Sequence, residues 1–336
     1  MSVKRGRALR QAAKSGIRIV IVVLKNYSHF VHWPCYSQRR MSKKSRPGKL
    51  EFGGRWTSIK LDALEGYLPA YTKIFTKNPA ARHFSTMYVD AFAGTGRIAY
   101  LPDQQDRLFD ERDEYVKGSA ARALEVKPEF DRYIFIESNP SRYAALEELK
   151  STYPDKSDRI EVRKEDANLF LKRWCAETDW KIWRAIVLLD PYAMDVPWST
   201  IEALARTQGV DLWWLFPCGA FNRLLTRAAK PPQPWREALT RICGTGAWEE
   251  RFYEVHTHAG LFGPMQIEQK LSNFTGINQF LRERLESIFV GVAKEPLYLV
   301  NSQNTPIFML FFAASNPKGA ATATRIANWI IAHGGN

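Results

Sequence analysis

Residues 88–96, YVDAFAGTG, restrict this chain more than any other stretch. Met87 to Phe92 is a short apolar run that reads as a buried strand, and it passes through Asp90 into Gly94-x-Gly96. Glycines in that place let the backbone turn sharply from strand toward helix and come close to a ligand. No Gly-Lys-Ser/Thr follows them, which excludes the phosphate-cradling P-loop. Three further acids stand behind the turn, each after a short apolar run. Glu137 ends Tyr133 to Ile136, where a carboxylate can accept both hydroxyls of a ribose. Asp166, with Ala167 beside it, follows Ile160 to Val162, where an adenine amino group would lie. Asp190-Pro191-Tyr192 closes Ala185 to Leu189. Any one of these acids could simply cap a strand that meets solvent. All of them in order, at the carboxyl ends of parallel strands, point to a ligand edge. One spacing is stretched: Glu137 comes 47 positions after Asp90, whereas dinucleotide folds place this acid about 20 residues on. A polar insertion at 101–117 absorbs much of the excess, as a lid or a solvated loop.

The order of elements supports a mostly parallel sheet. Thr57 is a candidate helix N-cap, followed by Ile59, Leu61, Leu64, Leu68, Tyr71, Ile74 and Phe75 at helical spacing. Gly66 and Pro69 are expected to kink or split that helix. Helices are expected from Ser119, over Ser141–Lys150 and over Ile201–Arg206, and a strand over Val210–Phe216. Strands alternating with helices indicate βαβ units. Pro231-Pro232-Gln233-Pro234 reads as a turn, Met265–Ile288 as largely helical, and Leu297–Val300 with Ile307–Ala313 as an edge hairpin before a last helix over Thr322–Ile331. Trp213 and Trp214 alternate along one strand and must face opposite sides of the sheet. Like this pair, Trp174, Trp180, Trp183 and Trp198 read as core or interface.

The 336-residue chain carries a formal charge of +13, but unevenly. Residues 1–50 hold 13 of the 48 lysines and arginines and none of the 35 acids, leaving 35 basic against 35 acidic residues beyond them. A basic tail can bind phosphate; the balanced body lends no support to a nucleic-acid groove. The division is therefore a basic tail over 1–47 and one domain over 48–336, with insertions at about 101–117 and 218–296. Ile19 to Leu24 is far too short to cross a bilayer, so no membrane role is expected. Met41 opens a second, ordinary-looking start, and residues 1–40 read as an upstream extension or a tail. Cys35, Cys175, Cys218 and Cys243 are scattered without metal-ligand spacing, which fits a reducing, cytoplasmic compartment. His256 and His258 are an i, i+2 pair without further ligands.

Several motifs together resemble a known family. Gly53-Gly54-x-Trp56-Thr57-x-x-Lys60-Leu61, the 88–96 turn, Gly118-Ser119, Phe135-Ile136-Glu137, Leu189-Asp190-Pro191-Tyr192 and Phe312-Ala313-x-Ser315-Asn316-Pro317 resemble the three-Cys-motif partner (TcmP) proteins. These are bacterial and similar to class I methyltransferases; the resemblance runs from about Leu50 to Ile330. It implies an α/β, Rossmann-like class I methyltransferase fold with an antiparallel C-terminal edge strand. S-adenosylmethionine is then the cofactor, and a radical-SAM-like protein carrying the three-cysteine motif the partner. Asp90, Phe92, Gly94, Gly96, Glu137, Asp166, Ala167 and Asp190 become the cofactor-binding candidates. Phe92 stands where many cofactor loops carry a first glycine. Asp190-Pro191-Tyr192 is similar to the Asp/Asn-Pro-Pro-Tyr motif of amino-methyltransferases, one proline shorter. By that likeness Asp190 would orient an exocyclic amine and Tyr192 would stack on the base or small molecule that carries it. Trp56, Lys60 and Ser119 are further candidates: Trp56 and Lys60 share a helix face as i and i+4, Trp56 being placed at the ligand and Lys60 more readily in solvent. A methyltransferase, a non-catalytic binding partner and a tail-driven nucleic-acid module are the three readings left by the sequence.

Overall fold

A computed structural model of the chain describes residues 55–99, 115–227, 230–260, 263–271 and 273–333. The basic tail, Met41, Cys35, Gly53-Gly54 and most of the 101–117 insertion lie outside the described residues, as do the side chains of His256 and His258.

Helix α1 (Arg55–Lys77) leads to β1 (Ser85–Asp90), then β2 (Arg97–Ala99), β3 (Tyr115–Lys117), α2 (Ser119–Glu125), β4 (Arg132–Ile136), α3 (Pro140–Thr152) and β5 (Ile160–Arg163). There follow α4 (Ala167–Glu177), β6 (Trp183–Leu189), α5 (Trp198–Arg206), β7 (Val210–Phe216), α6 (Cys218–Leu224), α7 (Gln233–Cys243) and α8 (Trp248–Phe252). The described chain ends with β8 (Tyr253–Gly260), β9 (Gly263–Lys270), α9 (Phe274–Glu286), β10 (Gly291–Val292), β11 (Leu297–Val300), β12 (Pro306–Ala314) and α10 (Ala320–His333).

The main sheet runs β10-β12-β7-β6-β1-β4-β5, with β11 also on β12. β5, β4, β1, β6 and β7 are mutually parallel, and β12 is antiparallel to β7. This is the Rossmann-like α/β fold expected from the sequence, with one adjustment. The antiparallel strand lies one place inside the edge, because β10 and β11 both pair with it. Strands covered on both faces are apolar nearly throughout, as β7 is apart from Asp211. Met87, Val89 and Trp214 enter the core under α4, α5, α6 and α9, while Tyr88 and Trp213 enter the core under α1, α2, α3 and α10. Trp213 meets Tyr67 and Phe312; Trp214 meets Phe216 and Phe311. β1 has β4 on one side and β6 on the other, so the winding reverses there and opens a crevice outside its carboxyl end.

Several local expectations need correction. Thr57 does not cap α1, which already includes Arg55, and neither Gly66 nor Pro69 splits it into two helices. Gly66 instead sits against Ile330 of α10, whose packing supports the helix at that point. Residues 263–270 are a strand rather than the start of a helix. Their apolar Met265 and Ile267 alternate with polar neighbours, and the segment pairs with β8 in a separate hairpin. α9 begins only after Asn273, whose side chain accepts the Gly276 N–H. Helix α4 was not anticipated, nor was α7, where Pro231-Pro232 makes the turn but Pro234 already occupies the first helical turn. Among the described residues no helix is long and apolar enough to cross a membrane.

Candidate functional site

At the carboxyl end of β1, Asp90 is fully buried. Its Oδ2 accepts from the Ser119 hydroxyl and its Oδ1 from the Phe92 N–H at 3.3 Å. Burial pushes its carboxyl up to about 7, and the nearby Asp190 adds to the rise; Ser119, the Phe92 amide and Lys60 oppose it. A buried acid poised near neutrality beside a cleft is a recurrent mark of a functional site.

The turn after Asp90 is built as its glycines require. Gly94 and Gly96 have φ of +60° and +70°, a region that side chains with a Cβ rarely enter. Gly96 also presses on α3: a Cβ there would meet Leu149 Cδ1 at 3.1 Å and Leu146 Cδ2 at 3.3 Å. Nothing stands within 4 Å of a Cβ at Gly94, so its backbone faces open space. The Gly118 N–H donates to Gly96 O at 3.1 Å, which fastens the turn to the start of α2 and so delivers Ser119 to Asp90.

Glu137 follows β4 and is buried. Its Oε1 accepts the Asn139 N–H at 2.8 Å, and Arg142 Nη1 lies 3.8 Å from Oε2. Asp166 caps α4 by accepting the Leu169 N–H at 2.9 Å, a contact of the kind worth about 1 kcal/mol. Ala167 behind it is buried. Asp190 and Pro191 carry the chain out of β6 to Tyr192, which lines the cleft and is 76% exposed.

One wall comes from α1, outside the strand ends. Lys60 is buried, which corrects the expectation of a solvated lysine. Its ammonium contacts Asp190 Oδ2 and lies over the Trp56 ring, 5.6 Å from the centroid. Trp56 in turn meets Phe308 of β12 at 5.0 Å between centroids. The site candidates named from the sequence, apart from Asp90 itself, line one cleft of about 940 Å³, toward the upper end of the roughly 300–1,000 Å³ that ligand sites occupy. Asp90 is not part of that lining but accepts hydrogen bonds from two residues that are, Phe92 and Ser119.

Sequence reading missed several lining residues. Phe308 lies on a core strand and carries no local signal. Arg241 comes from α7, inside the 218–296 insertion, and donates to Met194 O at 3.3 Å. Asn168 donates to Asp195 O at 2.9 Å and accepts from Thr200 Oγ1 at 3.0 Å, tying the 192–197 loop to α4 and α5. These contacts join distant segments, and spacing along the chain does not encode them.

No family model matches the chain and no curated protein matches it. Solved structures do. Protein LPL1258 from Legionella pneumophila is 15% identical over 70% of this chain and 93% of its own, with a TM-score of 0.40. The magnesium protoporphyrin IX methyltransferase of Synechocystis PCC 6803, solved with bound SAM, is 12% identical over 67% of this chain and 86% of its own, at 0.29. A precorrin 8w decarboxylase from Methanobacterium thermoautotrophicum is 14% identical over 60% and 84%, at 0.23.

Proposed function

We propose that the protein is an S-adenosylmethionine-dependent methyltransferase acting on an amino group of a nucleobase or small molecule. One observation carries this reading: the Gly94/Gly96 turn, Glu137 and Asp190 follow adjacent strands and line a single cleft, with buried Asp90 bonded to its lining residues Phe92 and Ser119. The donor set fits an amino-acid nucleoside. Asp90 is a buried acid suited to an ammonium group, and Glu137 offers Oε2 to a ribose diol. The Asp166–Ala167 turn would meet the adenine edge, and the open space at Gly94 lets backbone approach the ligand. When bound, the cofactor supplies a methyl group activated on a sulfonium. Asp190 would accept a hydrogen bond from the acceptor amine and aim its lone pair. Tyr192 would offer a ring face to a planar acceptor. Positioning of this kind supplies a large share of the acceleration in such transfers.

Calorimetric titration with S-adenosylmethionine and S-adenosylhomocysteine, with Asp90→Ala as control, tests the cofactor. Transfer of a labelled methyl group, lost in Asp190→Ala while cofactor binding is retained, tests the chemistry. A folded protein that binds neither ligand refutes the proposal.

Membership of the three-Cys-motif partner family, and work beside a three-cysteine radical-SAM-like protein, form the finer part of the proposal, supported by the motifs spread from Trp56 to Pro317. A second reading, a cofactor-fold partner that binds without transferring, is favoured by Tyr192, which is 76% exposed and one residue nearer Asp190 than in the amino-methyltransferase motif. Cofactor binding with no transfer in the presence of the co-purified partner would select it.

A further inference from the structure

The chemistry proposed above gives Lys60 no part, yet its placement is unusual. The side chain is 7% exposed and its ammonium reaches an aspartate 130 positions away. A buried ammonium is costly unless it is paired, and here two groups hold it: the Asp190 carboxylate and the face of Trp56. Trp56 is itself backed by Phe308, so the lysine is clamped from the aromatic side as well.

Its partner is not an ordinary surface acid. β1 and β6 are parallel neighbours with Asp90 opposite Leu188, so Asp190 emerges next to Asp90 at the same end of the sheet. The two carboxylates repel, and Lys60 acts against that repulsion at Asp90. The other groups facing Asp90 are the Ser119 hydroxyl of α2, the Phe92 amide and the Tyr88 hydroxyl of its own strand, none of them a cation. The nearby guanidinium groups serve other acids: Arg142 stands beside Glu137, and Arg241 beside Asp195.

We propose that Lys60 is a positioning residue, which pins Asp190 at the reacting end of the cleft and offsets the mutual repulsion of Asp90 and Asp190. Helix α1 is then part of the site and not only of the scaffold that covers the sheet. The contact uses Oδ2 of Asp190, which leaves Oδ1 for a ligand. This role rests on the reading of the cleft as a cofactor site, but its charge component can be measured without any ligand.

The test is the titration of Asp90 in the ligand-free, full-length protein, followed by carboxyl ¹³C NMR with labelled aspartate and assigned from the signal lost in Asp90→Asn. Lys60→Met should move the Asp90 midpoint up by a few tenths to about one pH unit, the scale of a nearby opposite charge partly screened. Asp190→Asn should move it down, and Lys60→Arg should keep it near the wild-type value. In parallel, S-adenosylhomocysteine affinity near neutral pH should fall several-fold in Lys60→Met and be largely kept in Lys60→Arg. An unmoved Asp90 midpoint in folded Lys60→Met overturns the proposal. Should that variant not fold, an unmoved or upward midpoint in Asp190→Asn overturns it instead. A wild-type protein that binds no S-adenosylhomocysteine refutes the cofactor reading, while the Asp90 shifts still decide the part played by Lys60.

Discussion

Cofactor binding should weaken as pH falls, and Asp90 fixes where. In the ligand-free protein burial raises this carboxyl to about 7. A ligand ammonium placed against it favours the ionised form, so binding lowers the carboxyl and expels a proton wherever the free protein is protonated. The apparent dissociation constant then scales as one plus the ratio of protonated to ionised Asp90. That factor is about 1.1 near pH 8, about 2 near pH 7 and about 11 near pH 6, so affinity drops roughly tenfold from about pH 8 to about pH 6, or about 1.4 kcal/mol. The sign is set by the direction of the shift: the raised acid withholds its charge on the acid side. Calorimetry with S-adenosylhomocysteine at the three pH values, in buffers of different ionisation enthalpy, reads both the affinity and the proton released. Asp90→Asn should bind weakly and show no such slope. An affinity that stays constant from about pH 8 to about pH 6, or wild-type binding in Asp90→Asn, would refute the assignment of Asp90 to the ligand's cation.

Three further outcomes follow from the geometry. Ser119→Ala removes a hydroxyl that holds Asp90 ionised, so the midpoint of the binding profile should move to higher pH, with several-fold weaker binding at neutrality by the same calorimetry. Gly96→Ala combines a positive φ with contacts at Leu146 and Leu149 and should lower thermal stability by more than about 1 kcal/mol; Gly94→Ala, with open space around it, should cost less stability and show chiefly in cofactor affinity. Tyr67→Phe takes away the 2.7 Å hydrogen bond to buried Asp211, whose carboxyl burial pushes up to about 7. Asp211 charges as pH rises through that value, so the loss in a denaturation series should grow with pH, by at most about 1.4 kcal/mol between about pH 6 and about pH 8, and a loss independent of pH would count against the role of that charge.

Much of the site was legible because its parts are local. The strand 88–90 with its glycine turn, Glu137 behind β4 and Asp190 behind β6 each follow from a short apolar run and the residue that ends it, and buried parallel strands announce themselves that way. Ser119 was legible through Gly118-Ser119, although its hydroxyl bond to Asp90 was not. The helical reading of 265–270 failed because the alternation of Met265 and Ile267 with polar neighbours is a weak signal over so short a stretch, and the pairing with β8 that makes it a strand is not a local property.

The sequence by itself determined the order of strands and acids along the chain, and with them which end of the sheet carries the candidate site, since strand polarity and turn chemistry are properties of neighbouring residues. Tertiary structure decided the charges. Lys60 reads as a solvent-facing lysine on an amphipathic helix until α1 packs across the sheet and sets it on Asp190. Asp90 reads as an ordinary aspartate until burial and the arrival of Asp190 raise its carboxyl. Desolvation and Coulomb interaction depend on distances across the fold, and the chain folded between Lys60 and Asp190 is what creates them.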